Sequence, residues 1–295
     1  MEKYHIWTLS QDAARLMAPY YTAAFENFAK KLNLDTRLVG LILAAVSFEP
    51  ETISPERMIR RNPYSAELFF LRGMELVRNQ GVFEQVKPGE FALTTSARIQ
   101  TQELLDELST LLAELDILPV DESRWLAGAL GKLVQAMLDS PPPPDTWSIR
   151  SSYKLMPSLE PSLPYIEQAC SCLNAYRDDC HLYSWRKTGI SATTLEALTF
   201  LWRGEATSLD ELFQKLERRS HPREVYTVAF DELRKIGYME GRDDAPVLTA
   251  QGKGFREMVE QETDRLFFKP WDCLTTTELD RMEDILILLC DKLKK

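Results

Sequence analysis

One segment of the chain places histidine, arginine, aspartate and tryptophan at helical spacing, a combination that could hold an anionic or aromatic ligand. The side chains that recur three or four residues apart are Asn174, Arg177, Asp178, His181 and Trp185. This spacing predicts that they share one face of a helix over about residues 164–187. The alternative interpretation is structural: Arg177 and Asp178 pair with the hairpin-containing domain that follows them in the sequence, and His181 caps or fills a buried junction.

Three cysteines near His181 suggest a metal site, but helical geometry argues against one. If the segment is one helix, Cys170 and Cys172 project about 200° apart, and Cys170 and His181 lie roughly 16 Å apart along its axis. A tetrahedral zinc site needs four ligands at about 2.0 to 2.3 Å from the metal. We therefore predict no metal and no cofactor.

The sequence contains no recognisable catalytic motif. It has no glycine loop for phosphates, no nucleophile elbow and no His-Glu-x-x-His pattern, and its three histidines are His5, His181 and His221. Cys180 is next to His181, but adjacent residues on a helix point about 100° apart, so the two do not form a catalytic dyad. Nothing in the sequence indicates an enzyme.

Two arginine pairs could instead contact DNA phosphates. Each pair lies just ahead of a predicted helix, one starting at Asn62-Pro63 and one at about Pro222. The residues predicted to contact DNA are Arg60, Arg61, Lys215, Arg218, Arg219, His221 and Arg223. Against this hypothesis, the turn of a β-hairpin predicted over residues 238–249 carries Glu240, Asp243 and Asp244, where a hairpin that contacts DNA would favour lysine or arginine. The alternative is a solvated charged surface with no DNA partner.

The composition limits where such contacts can lie. The 295 residues are 44% hydrophobic, enough for packed cores in about two domains, and the formal net charge is −10. A chain this acidic repels nucleic acid and anionic membranes as a whole, so DNA binding requires a local basic patch. The five cysteines all lie in the second half, and neither a secretory signal nor a membrane-length apolar run is recognisable. We predict a soluble cytoplasmic protein with no membrane partner.

A proline-rich segment near the middle of the chain predicts a linker. Four consecutive prolines begin at Pro141, and proline lacks the amide proton that helices and sheets require, so residues 139–163 should be extended. Interleaved apolar residues suggest that this segment packs across a surface. The predicted domains are residues 1–138 and residues 164–295.

The first half shows helix signals followed by a hairpin signal. An apolar helix pattern over 38–46 precedes helix starts at Ser54-Pro55 and Asn62-Pro63. The third helix is predicted to end at Gly81, where glycine can take a left-handed conformation, and a hairpin pattern covers residues 82–94.

The second half repeats this order. An apolar helix over 195–201 is followed by a capping box at 208–211, a helix from about Pro222 to Gly237 and a hairpin over 238–249. Three helices followed by a β-hairpin are typical of a winged helix, whose third helix is the element offered to a DNA major groove. We predict a mainly α fold with small β-hairpins, two winged-helix units and long packing helices. The alternative is an unrelated pair of helical subdomains.

Leucine-rich seams follow both hairpins and predict long packing helices. They consist of Leu104, Leu108, Leu111 and Leu115, and of Met282, Leu286, Leu289 and Leu293. Such seams need a helical partner, either within the same chain or in a second subunit of a homodimer. A further helix is predicted over residues 124–138.

The last 120 residues or so resemble a family of largely uncharacterised bacterial winged-helix proteins, the SalK-like family. The matching elements are Arg177-Asp178-Asp179-Cys180-His181, Leu195-Glu196-Ala197-Leu198, Leu248-Thr249-Ala250-Gln251-Gly252, Val259-Glu260-Gln261-Glu262-Thr263-Asp264 and Pro270-Trp271. Asp178 and Cys180 stand where the family has glycine. The resemblance implies a winged-helix fold and a regulatory role, and it implies no reaction.

Two functional hypotheses follow. The first is a transcriptional regulator that binds double-stranded DNA and responds to a small-molecule effector. The second is a non-catalytic scaffold that binds a ligand or a protein, with a pocket near His181 between the two domains.

Overall fold

The computed structural model describes residues 2–157 and 162–294 and shows a mainly α-helical fold with two short antiparallel hairpins, as predicted. The elements of the first half are α1 (Glu2–Lys31), α2 (Val39–Phe48), α3 (Pro55–Arg61), α4 (Glu67–Asn79), β1 (Phe83–Lys87), β2 (Glu90–Leu93), α5 (Thr95–Ala113) and α6 (Val120–Leu138).

The second half contains seven further α-helices, two strands and two short 3₁₀ helices within the described residues. They are α7 (Trp147–Tyr153), α8 (Leu163–Arg186), α9 (Ala192–Trp202), α10 (Leu209–Lys215), the 3₁₀ helix Glu217–Arg219, α11 (Arg223–Lys235), β3 (Met239–Arg242), β4 (Ala245–Leu248), α12 (Ala250–Phe267), the 3₁₀ helix Pro270–Cys273 and α13 (Thr276–Leu293).

The chain forms two compact units, each assembled from separate stretches of sequence. Unit 1 comprises Met1–Ile53, Gly73–Asp179 and Leu266–Lys295, and unit 2 comprises Ser54–Arg72 and Cys180–Arg265. Three of the four unit boundaries fall within α4, α8 and α12, and the fourth lies just before α3. The two domains predicted from the position of the proline-rich segment stay a prediction.

Helix α1, which no sequence pattern predicted, is the main packing partner in unit 1. It lies along both α13 and α5. The buried side chains of these helices include Ile6 and Met17 from α1, Leu104 from α5, and Leu286 and Leu289 from α13. Full burial of a side chain of this kind contributes about 1.5 to 3 kcal/mol to stability. Both leucine-rich seams therefore pack on a helix of the same chain.

An isolated β-bridge joins the hairpin of unit 1 to Ile53. Strands β1 and β2 pair with Phe83 opposite Leu93. Ile53 then pairs with Phe91, since each donates its backbone N–H to the carbonyl of the other at 2.8 and 2.9 Å. Ile53 and Phe91 are both buried, so this bridge fixes the hairpin against the core of unit 1.

The proline-rich segment is not extended throughout, contrary to prediction, because residues 147–153 form α7. This helix packs on α2 within unit 1. Its N-cap residue, Thr146, makes no capping hydrogen bond with its side chain. Asp179 of α8 caps the helix instead, since its two oxygens accept the backbone N–H groups of Ser148 and Ile149, each at 2.9 Å. Residues 158–161 of the predicted linker lie outside the described residues.

The helix start predicted at Asn62-Pro63 is also wrong, because α4 begins at Glu67. Asn62 ends α3 as its C-cap, donating its backbone N–H to the Met58 carbonyl at 2.7 Å. Residues 62–66 form a loop, and the Ala66 N–H donates to the Arg219 carbonyl at 2.9 Å. The backbone N–H of Ala66 therefore makes a long-range hydrogen bond within unit 2 in place of the local bond that a helix would have formed.

Unit 2 contains the predicted winged helix of the second half. Helices α9, α10 and α11 precede the hairpin β3–β4, in which Met239 lies opposite Leu248. The core between these elements includes Leu198, Leu212 and Phe230, all fully buried. Gly237 has a φ of +77°, the left-handed conformation that glycine adopts at low cost, and it follows the end of α11.

Candidate nucleic-acid interface

The start of α11 is positioned by a tight turn after the 3₁₀ helix Glu217–Arg219. Ser220 takes a left-handed conformation with a φ of +59°, and Pro222 is the N-cap of α11. His221 is the residue between them in the sequence, and its ring nitrogen Nε2 lies 3.1 Å from the Tyr64 carbonyl oxygen. Because a carbonyl only accepts, Nε2 carries the proton and donates it. The loop after α3 and the turn before α11 are thereby held together.

The two predicted arginine pairs converge through these contacts, although they lie in different halves of the sequence. Besides the His221 bond, the backbone bond from Ala66 to Arg219 ties the loop after Arg61 to the 3₁₀ helix. Arg186, at the end of α8, donates to the Arg60 carbonyl at 2.7 Å. We call the arginines of the segments that these contacts bring together the arginine cluster: Arg60, Arg61, Arg186, Arg218 and Arg219.

Tyr64 lies inside the arginine cluster. The guanidinium of Arg219 sits over the Tyr64 ring at 5.6 Å from its centre, within the range of a cation–π contact. The same ring packs on the buried Trp185 at 6.2 Å between centres. An aromatic platform therefore supports the cationic groups from the side of the core.

Several of the predicted DNA contacts have acidic partners on the protein itself. Arg60 pairs with Glu56 at 3.3 Å, and Arg223 pairs with Asp210 at 2.6 Å. Lys215 pairs with Glu211 at 3.1 Å. Such exposed pairs contribute only about 0 to 1 kcal/mol each, so a phosphate can replace the carboxylate at small cost.

Beneath the arginine cluster lies a buried carboxylate. Glu196 of α9 is 6% exposed and accepts a hydrogen bond from Arg219 Nε at 2.9 Å. Burial raises the pKa of Glu196 to about 7, and the charge of Arg219 opposes this shift only in part. Burial likewise raises the pKa of the neighbouring Tyr226 and lowers the pKa of His221.

The exposed face of α11 is mixed in charge. Glu224, Val228, Asp231, Glu232 and Lys235 all face solvent. One cation among three carboxylates does not favour phosphate along this face of the helix. The arginine cluster lies before the N-terminus of α11.

The wing is held by internal ion pairs. Arg234 of α11 binds Asp243 at the hairpin turn and Asp231 on its own helix, and Arg242 pairs with Asp244 at 2.5 Å. The Asp243 carbonyl also accepts the N–H of Leu209 at 2.8 Å. An open groove of about 770 Å³ runs between the turn and the start of α10. The acidic residues of the wing thus neutralise arginines of unit 2.

The charge of the chain is unevenly distributed between the units. Unit 2 contains equal numbers of acidic and basic residues, so the net charge of −10 lies entirely in unit 1. The repulsion of nucleic acid predicted from the composition is therefore a property of unit 1.

The predicted ligand-binding stripe lies on α8, with its first residues in unit 1. There Asn174 is half-buried and Asp178 is exposed. The guanidinium of Arg177 lies over the rings of Trp7 and Phe267, at 4.7 and 5.7 Å from their centres. Arg177 therefore packs on aromatic side chains of its own unit.

The last two residues of the stripe lie in unit 2. His181 Nδ1 is 3.4 Å from the Thr263 hydroxyl. Trp185 is buried in a core with Leu182, Leu195 and Val259. A ligand-binding role for the stripe stays a prediction.

Residues 2–157 and 162–294 include no group of three or more histidine, cysteine or acidic side chains placed to hold a metal ion. No helix among them is both long and apolar enough to span a bilayer. Cys170, Cys172 and Cys180 are buried and form no disulfide bond.

Sequence reasoning missed Glu196, Tyr64 and Arg186. Glu196 lies within the apolar helix predicted over residues 195–201, at a position where the apolar spacing predicts a buried side chain. A charged residue at a predicted core position is a signal that could have identified it, because buried carboxylates need a partner. Tyr64 and Arg186 gave no local signal, since their role depends on contacts between distant segments.

Three helices followed by a hairpin, with α11 as the third helix, define the winged-helix variety of the helix-turn-helix fold in unit 2. Residues 154–294, slightly less than half of the chain, match the model of a helix-turn-helix family. The matched region contains α8 to α13. No curated protein and no solved structure matches the chain significantly.

Proposed function

We propose that unit 2 binds double-stranded DNA, with the N-terminal part of α11 directed toward the major groove and the exposed arginines of the arginine cluster, Arg60 and Arg218 among them, contacting phosphates. The convergence of the two arginine pairs carries this proposal. In helix-turn-helix proteins the start of the recognition helix approaches the bases, while residues around it neutralise the backbone. The arginine cluster lies at the corresponding place beside α11.

The distribution of charge also supports this geometry. A formally neutral unit 2 with the arginine cluster beside the start of α11 can approach a phosphate backbone. The carboxylates of Asp231 and Glu232 disfavour phosphate contact along the later turns of the helix. Among the other predicted contacts, His221 acts by holding the turn, and Lys215 and Arg223 contribute after exchanging their carboxylate partners for phosphate.

A role in transcription regulation extends the same proposal. It is supported by the match of residues 154–294 to a helix-turn-helix family and by the resemblance of the C-terminal part to the SalK-like family. Binding of DNA by unit 2 is the step on which such a role depends.

Fluorescence anisotropy with a labelled duplex of mixed sequence, measured over a salt series, tests DNA binding. Each phosphate contact contributes about 0.9 to the slope of log affinity against log salt. Replacing both Arg60 and Arg218 by alanine should therefore reduce the slope by about 2 and weaken binding at every salt concentration. Both side chains project from the surface, so the double variant should fold normally.

A control variant with the same loss of charge is available in unit 1. Arg124 pairs with Asp121 at 3.3 Å and is 57% exposed, which matches Arg60 at 3.3 Å and 54%. Arg15 is exposed as well. Replacing Arg15 and Arg124 by alanine should leave the salt slope unchanged. Absence of wild-type binding at the lowest salt, or equal slopes for both double variants, would contradict the proposal.

A further inference from the structure

The ion pair between Arg219 and Glu196 differs from the other ion pairs of the arginine cluster because its carboxylate is buried. Both Nε and a terminal nitrogen of Arg219 lie at 2.9 Å from the same oxygen, Oε1 of Glu196. The second oxygen, Oε2, is buried and has no hydrogen-bond partner in the part of the chain that the structure describes. The hydroxyl of the buried Tyr226 is likewise without a partner there.

Burying this carboxylate carries an unfavourable desolvation free energy. A buried carboxylate needs hydrogen bonds to both oxygens to offset its desolvation, and Glu196 satisfies one of them. Arg219 itself is one-third exposed, so its guanidinium lies at the boundary between the core and the solvent. A small change in the direction of this side chain would bring its charge to the surface of the arginine cluster.

We propose that Glu196 is a latch that holds Arg219 away from DNA, and that protonation of Glu196 releases Arg219 to bind a phosphate. This inference rests on the proposed DNA binding and adds regulation by pH to the same surface. In the latched state the carboxylate occupies the position of a phosphate in the hydrogen-bonding geometry of the guanidinium. DNA and Glu196 therefore compete for one side chain.

Among the titratable groups that surround it, Glu196 is the one that changes its charge near neutral pH. The pKa of Glu196 is raised to about 7 by burial. From α11, Tyr226 has its pKa raised above its ordinary value of 10.0, and Glu232 accepts a hydrogen bond from the Thr194 hydroxyl. His221, in the turn before α11, has its pKa lowered by burial.

Two arginines of other elements contact side chains of α9. Arg219 faces Glu196 from the 3₁₀ helix, and the buried Arg256 of α12 donates to the Thr199 hydroxyl at 2.8 Å. Arginine stays charged at all pH values of interest. Measurements between about pH 8 and pH 6.5 therefore follow Glu196 before His221 gains its proton.

The test compares DNA affinity of the full chain with that of Glu196→Gln, which mimics the protonated carboxyl. Freeing one arginine should raise the salt slope by about 0.9, which corresponds to an affinity gain on the order of tenfold at about 50 mM salt. Wild-type affinity should rise as the pH falls from about 8 to 6.5, and the affinity of the variant should not change over this range.

Glu217→Gln is the matched control, because Glu217 is an exposed carboxylate on the same 3₁₀ helix. This substitution also removes one negative charge beside the same arginines, but it leaves the hydrogen bonds between Arg219 and Glu196 in place. Equal affinities and pH profiles for the two glutamine variants would overturn the latch. A wild-type chain that binds DNA with no pH dependence in this range would overturn it too, while the proposed function would stand. A chain that does not bind DNA at any pH refutes the proposed function instead.

Arg219→Gln keeps the test decisive if Glu196→Gln fails to fold. Without Arg219 there is no latched cation, so the pH dependence of DNA binding should disappear. Retention of the wild-type pH profile in Arg219→Gln would show that another group titrates, and the latch would be refuted.

Discussion

Replacing Asp179 by asparagine should remove a large part of the pH dependence of unit 1 stability. Asp179 is 1% exposed and caps α7 through two backbone N–H groups. Burial raises its pKa to about 7, although these hydrogen bonds favour the charged carboxylate and oppose the shift. In an unfolded chain the pKa of aspartate is about 3.9.

The sign of the effect follows from these two pKa values. Between about pH 4 and pH 7 the folded state binds the proton of Asp179 and the unfolded state does not, so stability falls as the pH rises. Linkage with a folded pKa of about 7 gives a loss on the order of 2 to 3 kcal/mol between about pH 5 and pH 8. Above pH 8 the contribution is constant.

Asparagine has nearly the same shape as a protonated carboxyl group and does not titrate. The free energy of unfolding of Asp179→Asn relative to wild type should therefore rise by about 2 to 3 kcal/mol from pH 5 to pH 8. Urea unfolding followed by tryptophan fluorescence measures this quantity, and Trp147 at the start of α7 reports on the capped helix. Hydrogen exchange of the α7 amides localises the change.

Asp178→Asn is the control, because Asp178 is the exposed neighbour of Asp179 on α8. Its pH dependence of stability should stay close to that of wild type, because the charge of Asp178 is the smallest of the contributions to the raised pKa of Asp179. The reasoning is refuted if the difference between wild type and Asp179→Asn is the same at pH 5 and at pH 8.

Two further predictions concern packing and thiol accessibility. Phe230→Ala should destabilise unit 2 by about 3 to 5 kcal/mol in urea unfolding, because the ring is fully buried. Val228→Ala on the same helix is the comparison and should change stability by no more than about 0.5 kcal/mol, because Val228 is 56% exposed. In the native protein a thiol reagent should modify the partly exposed Cys273 before Cys170, whose pKa is raised by complete burial. Faster modification of Cys170 would contradict its burial.

The sequence by itself determined the elements whose signals are local. The capping serine at Ser208, the apolar spacing of α11 and the glycine at Gly237 act within a few residues of their positions, so the winged helix of unit 2 was predictable. The same holds for the hairpins and for the start of α3 at Ser54. Each of these features depends on backbone geometry that a short segment specifies.

Helix α1 shows where local signals are insufficient. Pro19 lies inside it, and a proline normally marks the end of a helix because it removes one hydrogen bond and clashes with the preceding turn. Packing along α5 and α13 offsets this loss. The stabilisation of α1 therefore comes from contacts with residues far away in the sequence, which spacing within the helix does not reveal.

The arginine cluster required the tertiary structure for the same reason. The sequence identified Arg60, Arg61, Arg218 and Arg219 as two separate pairs, one in each predicted domain. Only the fold joins them, through the bonds of Tyr64 and Ala66 to the turn before α11. Burial alone decided that Glu196 faces Arg219 with a raised pKa, because desolvation depends on everything that surrounds a side chain and not on its neighbours in the sequence.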